Sequence, residues 1–157
     1  MEVIRKVPSL MIPGQINDET MIELYEYKGE GYDPFLIRDG WQVAQLNHIA
    51  AQDLEGIVKV DKHLQTDEAF ILLTGTAVLI AATVKEEDPL DFTCVKMQPG
   101  VTYNIPVHTW HNIVMDRDAS VIIVERNGTH LGDFVFRTLT AEEQGRLRRI
   151  IMTSLDA

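Results

Sequence analysis

Two of the five histidines in this 157-residue chain lie where folding could turn them toward a shared carboxylate. In the stretch IVKVDKHLQ, strand alternation puts Val58, Val60 and Leu64 on one face and Asp61, His63 and Gln65 on the other. A polar face turned into a small barrel is costly unless its groups are hydrogen-bonded or coordinate something. Glu68 follows closely, so a bend after Gln65 would carry its carboxylate toward His63, whereas His111 can join only through folding. Two imidazoles, a carboxylate and the Gln65 amide oxygen form a donor set for a divalent metal (Zn²⁺, Mn²⁺, Fe²⁺ or Ni²⁺), with positions open for a small-molecule substrate. The same groups could equally serve a metal-free barrel as hydrogen-bond partners. Tyr103 alternates with Val101 and Ile105, which predicts an inward ring that either packs in the core or offers its hydroxyl to a ligand. Trp110, beside His111, suits a pocket wall or a plug at the barrel end, and alternation points Lys62 to solvent.

The elements that must hold these residues read as short strands punctuated by turns. The candidates are MIELYEY, WQVAQLN, IVKVDKH, AFILL, TAVLIAATV, DFTCVKM, VTYNI, HNIVM, SVIIVE and DFVFRTL, with reversals at Gly29 to Gly31, Asp39-Gly40, Thr74-Gly75, Asp88-Pro89, Pro99-Gly100, Asp116 to Asp118 and Asn127-Gly128. Spacing of this kind predicts a mostly antiparallel meander. TAVLIAATV is too uniformly apolar for a strand with one wet face, so it should be buried on both sides, between sheets or against a second subunit; a homodimer is the expectation. Near the C-terminus, Thr140 with Glu143 forms a capping-box pattern, and Leu147, Ile150 and Ile151 recur at helical spacing. The chain thus divides into an arm over 1–20, a barrel over 21–139 and a helix over 140–157 packed on it, one domain in all.

Composition narrows the function. An apolar fraction of 45% and a charged fraction of 24% are those of a globular protein. The net charge of −10 opposes nucleic acid and anionic membranes, which need clustered Lys and Arg; Arg146, Arg148 and Arg149 suit a solvated helix end. Cys94 is the only cysteine, no apolar run is long enough to span a membrane and no signal peptide is visible, so the expected location is the cytoplasm.

Gly56, His63, Gln65, Glu68 and Gly75, with AFILLT before the last glycine, resemble the first cupin sequence motif, and Gly100, Pro106 and His111 resemble the second. The likeness covers residues 56–111 and implies an all-β, cupin-type jelly-roll barrel with one C-terminal helix, with His63, Glu68 and His111 as metal ligands. Gln65 stands where the family has a second histidine, which should weaken metal binding, and His108 stands where it has a glycine. Over residues 60–135 the chain is similar to the ureidoglycolate lyase branch, through Ala69-Phe70-Ile71, Gly100-Val101 with Tyr103, Trp110-His111 and Glu125-Arg126-Asn127-Gly128. The stretch between Tyr103 and Trp110 is longer than in that branch, and Leu72 replaces its proline. This resemblance implies cleavage of ureidoglycolate to glyoxylate and urea. His111, or a metal-bound hydroxyl oxygen, would act as base, Glu68 as metal ligand or proton relay and Tyr103 as a hydroxyl facing the substrate. Lys62 and Arg126 would hold the carboxylate, and His108 and Trp110 would border the site. A metal-dependent sugar isomerase and a non-catalytic ligand-binding cupin are the alternatives.

Overall fold

The computed structural model describes residues 22–84 and 90–157; the expected arm over 1–20 and the Asp88-Pro89 turn lie outside the described residues. The strands, in chain order, are β1 (Gly31–Arg38), β2 (Trp41–Asn47), β3 (Lys59–Lys62), β4 (Glu68–Thr74), β5 (Ala77–Thr83), β6 (Asp91–Lys96), β7 (Thr102–Ile105), β8 (Trp110–Met115), β9 (Ser120–Glu125) and β10 (Val135–Thr138), followed by the helix α1 (Ala141–Leu155). They form two five-stranded sheets, in the orders β1-β2-β9-β4-β7 and β10-β3-β8-β5-β6, with every ladder antiparallel.

The pairing is that of the jelly roll implied by the motif resemblance, and it replaces the meander suggested by turn spacing. β2 pairs with β9, β3 with β8, β4 with β7 and β5 with β6, so eight strands behave as one long hairpin whose successive strand pairs fall alternately into the two sheets. Rolling a double ribbon in this way is the jelly-roll solution to burying one face of every strand. β1 and β10 extend the two sheets at their edges.

Two cores result. Between the sheets lie Phe70, Leu79, Ile113, Met115, Val121 and Ile123; on the outer face of the second sheet, Val60, Val78, Ile80 and Val114 meet Leu147 and Ile151 of α1. β5 is buried on both faces because the barrel interior takes one side and α1 takes the other. The apolarity that suggested a dimer is therefore satisfied within one chain. The capping box at the start of α1 forms as expected, with the Thr140 side chain accepting from the Glu143 amide and the Glu143 carboxylate accepting from the Thr140 amide.

The strand expected over 21–27 is a correction. Residues 22–27 contain only an isolated bridge, and the place beside β2 is taken by β1. The ladder shifts register between Asp33 and Leu36, around Pro34, which an edge strand tolerates because one side of its backbone has no sheet partner among the described residues. At the Thr74-Gly75 turn, Gly75 has a φ of +72° and a Cβ there would stand 2.4 Å from the Ala119 backbone, so only glycine fits.

Candidate metal centre

The inner sheet faces are apolar through most of the barrel and turn polar at one end. Glu68 shares the inward face of β4 with Phe70 and Leu72, and Glu125 continues that of β9 after Val121 and Ile123. Gln42 precedes Ala44 and Leu46 on β2. His111 precedes Ile113 on β8 and pairs across the ladder with Asp61, and His63 lies just beyond the end of β3. Strand phase thus delivers Gln42, Asp61, Glu68, His111 and Glu125 to one end, and His63 joins them just past its strand.

Loops lock the imidazoles. The Asp133 carboxylate accepts from the Leu64 amide at 2.9 Å and the Gln65 amide at 3.1 Å, and its carbonyl accepts the Nδ1–H of His63 at 2.5 Å. The His108 amide donates to the His63 carbonyl at 2.8 Å, and the Thr109 carbonyl accepts the Nδ1–H of His111 at 2.9 Å. A carbonyl has no proton to give, so both rings carry hydrogen on Nδ1 and present Nε2 to the interior. His63 Nε2 is 2.9 Å and His111 Nε2 is 2.7 Å from the same atom, Glu68 Oε2. Neutral imidazoles would set three lone pairs against one another there, so the arrangement requires either a proton on each ring or a shared cation.

Titration follows from that geometry. Burial disfavours charge on both imidazoles, but the hydrogen bonds and charge of Glu68 outweigh it, raising His63 to about 9 and moving His111 in the same direction. Burial opposes ionisation of Glu68, yet the two histidines hold it below the usual carboxylate range. Asp61 is raised by burial despite His111, and Glu125 is raised by burial and by the charge of Glu68.

Glu125 completes the interior. Its Oε1 accepts from the Tyr32 hydroxyl and from Gln42 Nε2, while its Oε2 is buried with no hydrogen-bond partner among the described residues, 3.9 Å from His63 Nε2. Burial and Glu125 push the Tyr32 phenol far upward, so it stays protonated and donates. Ligand atoms of Asp61, His63 and His111 lie within 4.8 Å of one another, as do those of His63, Glu68 and Glu125. This buried cluster could hold a metal: the pre-set Nε2 lone pairs, the carboxylates and the orphaned Oε2 are what a divalent cation would satisfy.

Of the residues given a role from the sequence, His63, Glu68 and His111 come together, and Gln65, Lys62, Arg126, His108 and Tyr103 do not join them. Gln65 is corrected: β3 ends at Lys62, and the bend that follows turns the Gln65 side chain onto the exposed surface, where its Oε1 accepts from Arg126. Arg126 is occupied in that contact, outside the cluster. Lys62 lies on the outer face with its ammonium 4.6 Å above the Trp110 ring, and His108 borders the same outer pocket. Tyr103 packs against the inner core, and its hydroxyl accepts from the Gln98 amide. Asp61, already on the polar face, belongs at the site. Glu125, Gln42, Tyr32 and His130 were missed, although the alternation Val121, Ile123, Glu125 places that carboxylate inward.

A cavity of about 630 Å³ opens from the cluster past Tyr32 and His130 to Val58, Phe134 and Phe136. Gly56 forms part of its wall, where a Cβ would stand 2.2 Å from the Ala50 carbonyl oxygen.

No protein-family model matches the sequence, and neither does any curated protein. Among solved structures, the chain is similar to a cupin-2 domain protein from Shewanella frigidimarina at 18% identity, covering 64% of this chain and 85% of that one with a TM-score of 0.46. It is similar to CapF at 20% identity, covering 73% of this chain and 34% of that one with a TM-score of 0.49. The QdtA 3,4-ketoisomerase of Thermoanaerobacterium thermosaccharolyticum gives 13% identity, coverage of 72% and 75%, and a TM-score of 0.47. The class rests on the molecule's own topology: paired strands rolled into two antiparallel sheets, with a His/Glu cluster inside one end, make a cupin-type jelly roll.

Proposed function

We propose that this chain is a divalent-metal-dependent cupin-type enzyme that moves a proton on a small hydroxy-carbonyl substrate, by lyase or isomerase chemistry. The observation that carries this reading is the meeting of His63 Nε2, His111 Nε2 and Glu68 Oε2 with both Nδ1 protons committed to backbone carbonyls. His63, His111 and Glu68 would hold the metal, with Asp61 beside them. A bound Zn²⁺, Mn²⁺, Fe²⁺ or Ni²⁺ ion polarises hydroxyl and carbonyl oxygens.

The chain's own residues would handle the proton. Tyr32 and Gln42 fix Glu125 through its Oε1, leaving Oε2 as a free acceptor beside the cluster. The raised proton affinity of that carboxylate suits a general base. Cleavage of ureidoglycolate belongs to this class: a base takes the hydroxyl proton, the hydroxyl oxygen becomes a carbonyl as the C–N bond breaks, and the protonated base returns that proton to the departing nitrogen so that neutral urea leaves. With Lys62 and Arg126 outside the cavity, Lys59 is the lysine that lines it and would face the carboxylate. Interconversion of hydroxyl and carbonyl groups on a sugar would use the same base.

Chelator-treated protein, reloaded with each metal in turn, tests this against ureidoglycolate and against aldoses. Release of urea and glyoxylate, or formation of the isomer, should depend on metal and fall at least about a hundredfold in Glu125→Gln, the typical worth of a general base. Metal-loaded protein that binds these compounds without turning either over would contradict the enzyme reading and leave a binding protein.

A further inference from the structure

The cavity is larger than a small hydroxy acid requires; at about 630 Å³ it is in the range of pockets that enclose drug-sized ligands. Its lining is of two kinds. The buried lining carries His63, Glu68 and Glu125 with Asp61 beside them, and the exposed lining carries Val58, Phe134 and Phe136, with Lys59 among them. Cross-strand register explains the contact between them: Phe136 of β10 stands directly opposite Asp61 of β3, so the ring and the carboxylate share the inward face. Phe134 and Phe136 lie with their ring centroids 5.1 Å apart, and the Lys59 ammonium sits 3.9 Å over the Phe136 ring. Phe136 is 52% exposed, Val58 43% and Phe134 39%. Large apolar groups left half-open beside a polar cluster mark a surface that gains from being covered.

We propose that the substrate is two-ended: a head bearing two neighbouring oxygens at the His63–Glu68–His111 cluster, and an aromatic or bulky apolar tail on Phe134, Phe136 and Val58. This rests on the metal reading of the cluster and adds to it the nature of the group beyond the reacting atoms. An edge-to-face or offset contact with the paired phenylalanines favours a flat ring in the tail.

The test uses two probes with one head, acetohydroxamate and benzohydroxamate, titrated into the zinc-loaded full chain by calorimetry, with zinc content measured on the same samples. Benzohydroxamate should bind about tenfold more tightly or better, as burial of a phenyl group predicts. In the Phe134→Ala/Phe136→Ala double variant that preference should fall to about twofold or less, with zinc content and acetohydroxamate affinity unchanged. A Val58→Asp variant should also reduce the preference without touching the phenylalanines. Equal affinities in zinc-loaded wild type would overturn the apolar subsite while leaving the metal reading intact. A preference that survives in the double variant would overturn its location. Failure of wild type to take up zinc would overturn both.

Discussion

At the scale of single residues, what matters is where protons and lone pairs can go. His63 and His111 spend their Nδ1 protons on the Asp133 and Thr109 carbonyls, so their inner nitrogens need a proton or a metal beside Glu68. In metal-free protein, His63 has a folded pKa raised to about 9, above its ordinary value. Its stabilising contribution is complete below about pH 6.5 and is lost as pH rises through 9; His111 shifts in the same direction. Chelator-treated protein should therefore melt at progressively lower temperature from pH 6.5 to 9.5, whereas metal, competing with those protons, should stabilise more at the higher pH. A melting temperature that is flat or rising over that window without metal would contradict the assignment. His108 carries a second residue-scale expectation. Its φ is +66° where the cupin motif resembled in this stretch has glycine, and its side chain is exposed. His108→Gly should stabilise the protein by about 0.5 kcal/mol, since relief of the left-handed strain exceeds the added freedom of the unfolded chain. Chemical denaturation measures it, and a loss of stability would show that the imidazole makes a contact of its own.

At the scale of elements, strand phase decides which residues can act together. The sequence motifs made His63, Glu68 and His111 legible because those residues sit at or next to regular strands, where alternation is reliable. Gln65 failed because β3 stops at Lys62 and the chain then bends, so its phase no longer follows the strand. Glu125 and Gln42 were readable in principle, since each extends an inward series, Val121 and Ile123 in one case and Ala44 and Leu46 in the other. Tyr32 was not, because β1 is interrupted around Pro34 and its register cannot be read from alternation. Which strands pair was hidden from the turn signals, which see only hairpins, but was implied by the motif resemblance, since a jelly roll joins strands distant in sequence. The helix was legible from its capping box, and Gly145 within it has open space where a Cβ would go, with Arg149 Nη1 at 3.8 Å the nearest atom. Gly145→Ala should therefore stabilise by about 1 kcal/mol and raise the melting temperature by about 2–4 °C, read by thermal denaturation. An unchanged or lower melting temperature would mean that α1 bears less on global stability than its packing on Val78 and Ile80 indicates.

Across the whole molecule, one chain supplies both cores and a polar chamber between its sheets. The net charge of −10 and the inward Asp61, Glu68 and Glu125 make the interior a place for a cation, and Lys59 adds a positive charge to the cavity wall. Among the described residues, no helix is long and apolar enough to cross a membrane. Cys94 is half-buried in β6, and burial raises its thiol to about 11, which keeps it a weak nucleophile. In the proposed metal centre, His63, His111 and Glu68 hold the ion and Gln65 does not contribute. The most direct test of that centre is metal content by elemental analysis of untagged protein after incubation with Zn²⁺, Mn²⁺, Fe²⁺ and Ni²⁺, for wild type, Gln65→Ala, His63→Ala and His111→Ala. The structure predicts near-stoichiometric metal in wild type and Gln65→Ala and its loss in both histidine variants. Well-folded wild type that takes up none of the four metals, or loses metal when Gln65 is replaced, would contradict it.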